Sequence, residues 1–440
     1  MQKPAVKTAK GLEYSVLSDI GLRRGNNQDS YAVVPAADDG LWRQRGHVFL
    51  VADGMGAHAA GELASELAAE KIPHLYGKHI DQVPPDALRE AIVEANHEIH
   101  SRGQANIDFH GMGTTASVLL LLPQGALVGQ VGDSRVYRLR GKRLDQLSFD
   151  HSLVWEMIAS GQVDQNDVPK YIPKNIITRS LGPNPDVQVD LEGPFPLELG
   201  DTFLLCSDGL SGQVADDELG TILGCLPPDE AAQTLVDLAN LRGGPDNITL
   251  IIVRVTGSNL VRNEPSDWHA APGPSGGRGP QVPVAVWVVL GVLMLLALAM
   301  LAAGQYLPAA VALAASVVTS IWAWLRWFEN AAPGATLPTT RFGKGPHRTY
   351  NCEPNGAFVD RLGQVVAQLR DAANEEQWAV DWEPFEALER EATTAAERKD
   401  YVAAVRAYSH AITFMMGELR QQGDGNTPDE VVRRTDSSAD

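Results

Sequence analysis

Cysteine is scarce in this 440-residue chain, and what is missing narrows its class. Cys206, Cys225 and Cys352 are an odd number, widely spaced and without a CxxC pair. That excludes a disulfide framework or a zinc cluster and suits a reducing cytoplasm. Basic residues are outnumbered, and a formal net charge of -19 argues against a nucleic-acid partner, whose phosphates need a basic face. The opening MQKPAVKTAK lacks the apolar core of a secretory leader, so the region that follows is expected to stay on the side where it is made. Strict alternation of strands and helices is also missing. The length exceeds what one core usually organises, so two or more domains are expected.

What is present is a repeated event. The apolar run HVFLVAD ends in Asp53, LVGQVGDS in Asp133 and TFLLCSDG in Asp208, while GGPDNITLIIV puts Asp246 just ahead of another such run. Asp and Gly are ordinary turn residues, so one such strand end means little. Four could lie on one rim of a sheet assembly. Carboxylates brought together there repel and lose hydration, a cost of several kcal/mol per ion unless cations neutralise them. Oxygen donors without a His-x-His pair select hard cations, Mg²⁺ or Mn²⁺, over Zn²⁺.

These residues fall within ordered blocks: RRGNNQD (23–29), VADGMGAHAAGE (51–62), GTT (113–115), VGDSR (131–135), DHS (150–152), NIITRSLG (175–182), CSDGL (206–210) and GGPDNIT (243–249). The series resembles the metal-dependent serine/threonine protein phosphatases, the PPM or type 2C family in its bacterial form, over roughly residues 11–256. The resemblance implies two metals, bridged by Asp53 with help from the Gly54 carbonyl and completed by Asp208 and Asp246. Asp133 matches the ligand of a looser third metal. Asp29 matches a carboxylate that holds metal-bound water, and Gln28 beside it favours hydrogen bonding over direct ligation. Arg24 matches the arginine that contacts the substrate phosphate, a role suited to a permanently charged two-pronged donor. Metal-activated water would then attack phosphorus without a covalent phosphoenzyme. Some animal members carry a histidine two residues after the first aspartate, where this chain has Met55. His58 reads as a helix-start or packing residue, and the general acid stays open.

Residues 1–256 form the phosphatase domain in this reading, α+β in class. Many β-rich runs with a few separate helices favour an antiparallel β-sandwich flanked by helices in αββα layers, as the family's fold implies. The polar, proline-broken stretch 162–175 corresponds to the family's flap, which influences substrate choice. Residues 257–281 are rich in Gly and Pro and read as a flexible linker. Two uncharged apolar runs, 282–303 and 307–324, each approach the roughly 20 residues that cross a bilayer, so 282–328 reads as a transmembrane hairpin. Arginines and lysines on both flanks put both ends in the cytoplasm, under the inner (plasma) membrane. A linker (329–355), a small all-α region (356–421) with one weak tetratricopeptide-like pair, and a disordered tail (422–440) complete the expectation.

Three functions compete. The first is a membrane-tethered phosphatase acting on phosphoserine and phosphothreonine in cytoplasmic proteins, opposed by a serine/threonine kinase. The second is a catalytically weak module that signals through its membrane segment and C-terminal helices, which would bind protein. The third is a phosphatase of small phosphorylated metabolites on the same scaffold.

Overall fold

Strand β11 (Thr202–Cys206) shows why this chain builds a layered core. Its Phe203 and Leu205 enter one apolar cluster while Leu204 and Cys206 enter another, because successive side chains leave a strand on opposite faces. A strand apolar throughout needs cover on both sides. β12 (Ile248–Val255) divides likewise, with Ile251, Val253 and Val255 in the first cluster and Ile248, Leu250 and Ile252 in the second.

The computed structural model describes residues 4–56, 60–164, 168–169, 172–173, 175–265, 268, 302–303, 305–306 and 341–425. One sheet runs in the order β1 (Lys7–Ala9), β2 (Leu12–Asp19), β12, β11, β8 (Arg135–Arg140), β9 (Arg143–Gln146) and β13 (Arg348–Asn351). The other runs β10 (Asp190–Phe195), β7 (Gly125–Val131), β6 (Ala116–Leu122), β4 (His47–Met55) and β3 (Asp29–Val34), with β5 (Gly113–Thr114) paired to β4. Neighbouring strands in both are antiparallel. Between the sheets lie Phe49, Val51, Leu119 and Val128 against Val136, Phe203 and Ile251.

Short α1 (Asp39–Arg45) leads into β4, and α2 (Ala60–Lys78) and α3 (Pro84–Ala105) pack on the second sheet. Gly129 lets α3 approach, since a Cβ there would press on Leu88 and Ile92. α4 (Leu153–Ala159) and α5 (Asp208–Ser211) are short, while α6 (Asp216–Cys225) and α7 (Pro228–Leu241) cover the first sheet. The architecture is α+β, two antiparallel sheets flanked by helices, with further helices at the C-terminal end.

Those last helices differ from the expectation of a linker at 329–355 followed by a separate domain. The chain divides into two compact units, residues 1–266 with 342–440 and residues 267–341. In the first, Arg348–Asn351 is the edge strand β13, paired to β9 from Arg348↔Gln146 to Asn351↔Arg143. α8 (Gly356–Glu375), α9 (Trp382–Glu397) and α10 (Tyr401–Gly425) follow. Val405, Ile412 and Met415 of α10 and Leu362 and Val366 of α8 belong to the same cluster as Leu204, Leu235 and Leu250. The reason is physical: α6 and α7 are apolar on more than the face turned to the sheet, and that surplus needs cover. Polar contacts pin the layer, with Arg406 Nη2 donating to the Cys225 carbonyl (2.9 Å), His410 Nε2 2.8 Å from Glu230 Oε2, and Arg420 paired to the buried Asp237. Gly220 of α6 leaves room for the Cys352 sulfur.

The linker expected at 257–281 begins by folding back, as the Thr256 and Gly257 amides donate to the Gly11 carbonyl (2.8 and 2.9 Å) and Leu260 is buried. Nearly all of 266–340 lies outside the described residues, and with it all but the last two residues of the span expected at 282–303 and the whole of that at 307–324. Among the described residues no helix is long and apolar enough to cross a membrane. α10 continues past 421 to Gly425, and 426–440 again lie outside. All three cysteines are free and buried.

Candidate active site

Asp53 and Asp29 face each other across the β3–β4 ladder, where Asp29 pairs with Asp53 in register. Asp208 opens α5 directly after β11, and Asp246 stands just before β12, the neighbour of β11. Asp133 occupies the turn between β7 and β8. Strand ends distant in sequence thus bring five carboxylates to one rim.

Their mutual effect is visible in their proton affinities. Burial pushes the Asp53 carboxyl well above the usual range, and Asp29, Asp208, Asp133 and Asp246, in that order of effect, push it further. The Asp208 carboxyl is within hydrogen-bond reach of Asp53 and is itself raised by burial and by Asp246. Asp29, 9% exposed, is pushed up to about 7 by burial although it accepts the Ser207 hydroxyl (2.7 Å). Asp133, 6% exposed, is pushed up to about 7 by burial, then by Asp208 and Asp150. Its Oδ1 has no hydrogen-bond partner among the described residues. A buried carboxylate oxygen without a donor, beside like charges, is costly unless a cation answers it. Hard divalent ions fit this donor set.

The donors do not all point inward. Asp246 Oδ2 accepts from Arg24 Nη2 (2.8 Å), with Arg24 about half exposed at the rim, so the expected phosphate-binding arginine is the counter-charge of one expected ligand. Among the described residues, the trio with donor atoms all within 4.8 Å is instead His79, Glu90 and Glu94 at the α2–α3 end, a partly exposed cluster away from this rim. Gly54 fits because backbone surrounds it: a Cβ would collide with the Gln28 and Gly61 carbonyls. His58 lies outside the described residues.

Several residues that hold the site were not singled out from sequence. The Asp53 amide donates to Thr115 Oγ1 (2.9 Å), and its carbonyl accepts from the Thr115 amide and the Thr114 hydroxyl (2.9 Å each). The GTT block therefore clamps Asp53 from both sides of its peptide. Thr115 Oγ1 also meets Ser134 Oγ at 2.8 Å, tying the Asp133 turn to Asp53. Asn247 pins the loop that carries Arg24: its side-chain Nδ2 donates to the Ile20 and Asn26 carbonyls (2.9 Å each), and its Oδ1 accepts from the Gln28 backbone amide (2.8 Å). The signal was a buried-type polar residue inside the matched block GGPDNIT, but sequence does not say which loop it reaches.

Comparison with known proteins places the chain in a family. The protein phosphatase 2C pattern matches residues 23–238, which include Asp53, Asp133 and Asp208. A putative protein phosphatase 2C-type protein of Streptococcus pyogenes is 38% identical over 247 residues, covering 55% of this chain and 97% of that protein. The chain belongs to the protein phosphatase 2C family. The serine/threonine phosphatase stp of Listeria monocytogenes is 35% identical over 241 residues, 54% of this chain and 93% of that protein. A solved serine/threonine phosphatase of S. agalactiae is 34% identical, covers 56% of this chain and 99% of its own, and superposes with a TM-score of 0.49. This type 2C chain is thus a metal-dependent protein serine/threonine phosphatase of bacterial type.

Proposed function

We propose that the chain is a membrane-tethered phosphatase that hydrolyses phosphoserine and phosphothreonine in cytoplasmic proteins, using two divalent cations, Mg²⁺ or Mn²⁺, with a third at Asp133. The observation that carries the reading is Asp53, on whose carboxyl four other aspartates act at once. Asp53, Asp208 and Asp246 would hold the pair, assisted by Gly54, with Asp29 hydrogen-bonding at its edge. Cations bound there would supply Lewis-acid charge and bring the pKa of water down toward about 7. The chain's own residues do the rest. Arg24, exposed at the rim and tethered through Asn247, presents a guanidinium fork to the incoming phosphate. Ser207 and the backbone clamp of Thr115 keep Asp29 and Asp53 in place, so that little reorganisation is needed when charge develops on the phosphoryl oxygens.

Support for the tether is the pair of uncharged runs at 282–303 and 307–324, with basic residues on both flanks. Its partners would be phosphorylated proteins, with a serine/threonine kinase as counterpart. The test compares turnover of phosphothreonine peptides with that of sugar phosphates by the full chain in Mn²⁺. Preference for the peptides is expected, and preference for sugar phosphates would assign a metabolite phosphatase instead. Recovery of the full chain in the soluble fraction of lysed cells would remove the tether.

A further inference from the structure

β13 lies outside the family match, yet its side chains reach behind the site. The Arg348 guanidinium stacks on Trp155 of α4, 3.9 Å from the ring centroid, and Arg135 approaches the same indole at 6.0 Å. Trp155 is 7% exposed and meets Phe149 edge-on at 5.3 Å, while Phe149 meets His347 at 5.4 Å. Between Phe149 and Trp155 lie Asp150 and His151, both buried. Asp150 accepts from Arg135 Nε (2.8 Å) and Gln146 Nε2 (2.7 Å), and Arg348 adds to the positive charge that steadies it.

His151 is joined twice to Gly132, the residue before Asp133. Its amide donates to the Gly132 carbonyl (2.9 Å), and its Nδ1 accepts from the Gly132 amide (3.0 Å). That acceptor role puts the ring proton on Nε2, which donates to Asp190 Oδ2 (2.9 Å). The contacts thus run from Arg348 through Trp155 and the Asp150–His151 segment to the turn that aims Asp133.

We propose that Arg348 is a positioning residue of the phosphatase site: from a strand outside the family match, it fixes the segment that orients Asp133. The inference rests on the reading of Asp133 as a cation ligand. β13 itself is anchored independently of Arg348, since Thr349 Oγ1 donates to Asp145 (2.8 Å), and Glu192 accepts from the Gly345 amide (2.8 Å) and pairs with His347 (2.9 Å). Losing the guanidinium therefore loosens α4 without undocking the strand. A cation over a shielded indole is a measurable contact, and residues that orient a metal ligand commonly change metal affinity by about 10–100-fold.

The experiment titrates Mn²⁺ into metal-free full-length protein by calorimetry and follows KM and kcat for a phosphothreonine peptide alongside. Arg348→Ala is expected to weaken the loosest Mn²⁺ about tenfold, and Arg348→Lys, which keeps a cation over the ring, to stay within about threefold of the parent. Arg361→Ala is the control for general loosening of the C-terminal layer, because Arg361 pairs with Asp217 (3.1 Å) and sits over Phe358. It should leave Mn²⁺ binding unchanged. Arg348→Met, which keeps the stem, decides by the same criteria if the alanine variant shows no cooperative melt. Parent-like Mn²⁺ binding in Arg348→Ala, or in Arg348→Met where that variant decides, or an equal shift in Arg361→Ala, overturns the inference. A parent protein that binds no Mn²⁺ at all overturns the metal reading beneath it, so the two failures are distinguishable.

Discussion

Removing the charge of Arg420 should unsettle the phosphatase core from residues far beyond the family match. Arg420 on α10 pairs with Asp237 on α7, and Asp237 is fully buried. Among the described residues the one other donor to that carboxylate is Gln233 Nε2 at 3.0 Å, and Asp237 Oδ2 has no hydrogen-bond partner there. Breaking a buried pair by deleting one partner costs about 3–5 kcal/mol. Arg420 keeps 31% side-chain exposure, which places Arg420→Met near the lower end, about 3 kcal/mol. For a unit of this size each kcal/mol lowers the melting temperature by about 2 °C, so a fall of about 6 °C is expected by circular dichroism. The double variant Arg420→Met with Asp237→Leu should recover most of it, because an apolar pair of similar volume replaces a buried ion pair at little cost. A melting temperature unchanged by Arg420→Met, or a double variant no better than the single one, would refute the claim that the C-terminal helices share the catalytic unit's core.

Asp208→Asn should lower Mn²⁺-dependent hydrolysis of an aryl phosphate on the order of 100-fold or more, and near-parental rates would reject the ligand assignment. Arg24→Ala should chiefly raise KM, about tenfold for the loss of a charged hydrogen bond, whereas an unchanged KM would remove Arg24 from the phosphate site. His47 accepts from the Ala36 amide at 3.0 Å, and burial lowers its pKa from 6.5 to about 4. Below pH 6.5 the unfolded chain takes up a proton that the folded one refuses, so stability is full above 6.5 and declines down to about 4, by roughly 3 kcal/mol at most. His47→Gln should flatten that slope in urea titrations, and an unaltered slope would count against it. Stripping divalent ions should lower the melting temperature, and restoring Mn²⁺ should raise it more at pH 8 than at pH 6. At pH 6 a proton held by Asp29 or Asp133, both near 7, must first be displaced. Equal gains at the two pH values would contradict this.

The rim of carboxylates was legible because each aspartate closes or precedes an apolar run, and a run of that kind has few places to go in a layered core. The ordered blocks then specified which aspartates meet. Asn247 and Thr115 were not legible, since Asn247 reaches backbone groups of a loop and Thr115 the backbone of Asp53 on a neighbouring strand, and which segments meet depends on the finished fold. The C-terminal layer was hidden for another reason. An apolar stripe on α10 says that the helix is covered, but not by what. β13 is four residues, RTYN, with exposure alternating along it, and residues 329–355 carry enough Gly and Pro to read as spacer. Some 90 residues separate β12 from β13, so no local pattern announces that they share a sheet.

The most direct measurement is an anomalous-scattering map at the manganese edge, from crystals of the full chain grown in Mn²⁺. Peaks among Asp53, Asp208 and Asp246, with a further one at Asp133 and Arg24 released from Asp246, are the expected result. A map without density at that rim, from protein that still hydrolyses phosphothreonine peptides, would contradict the account.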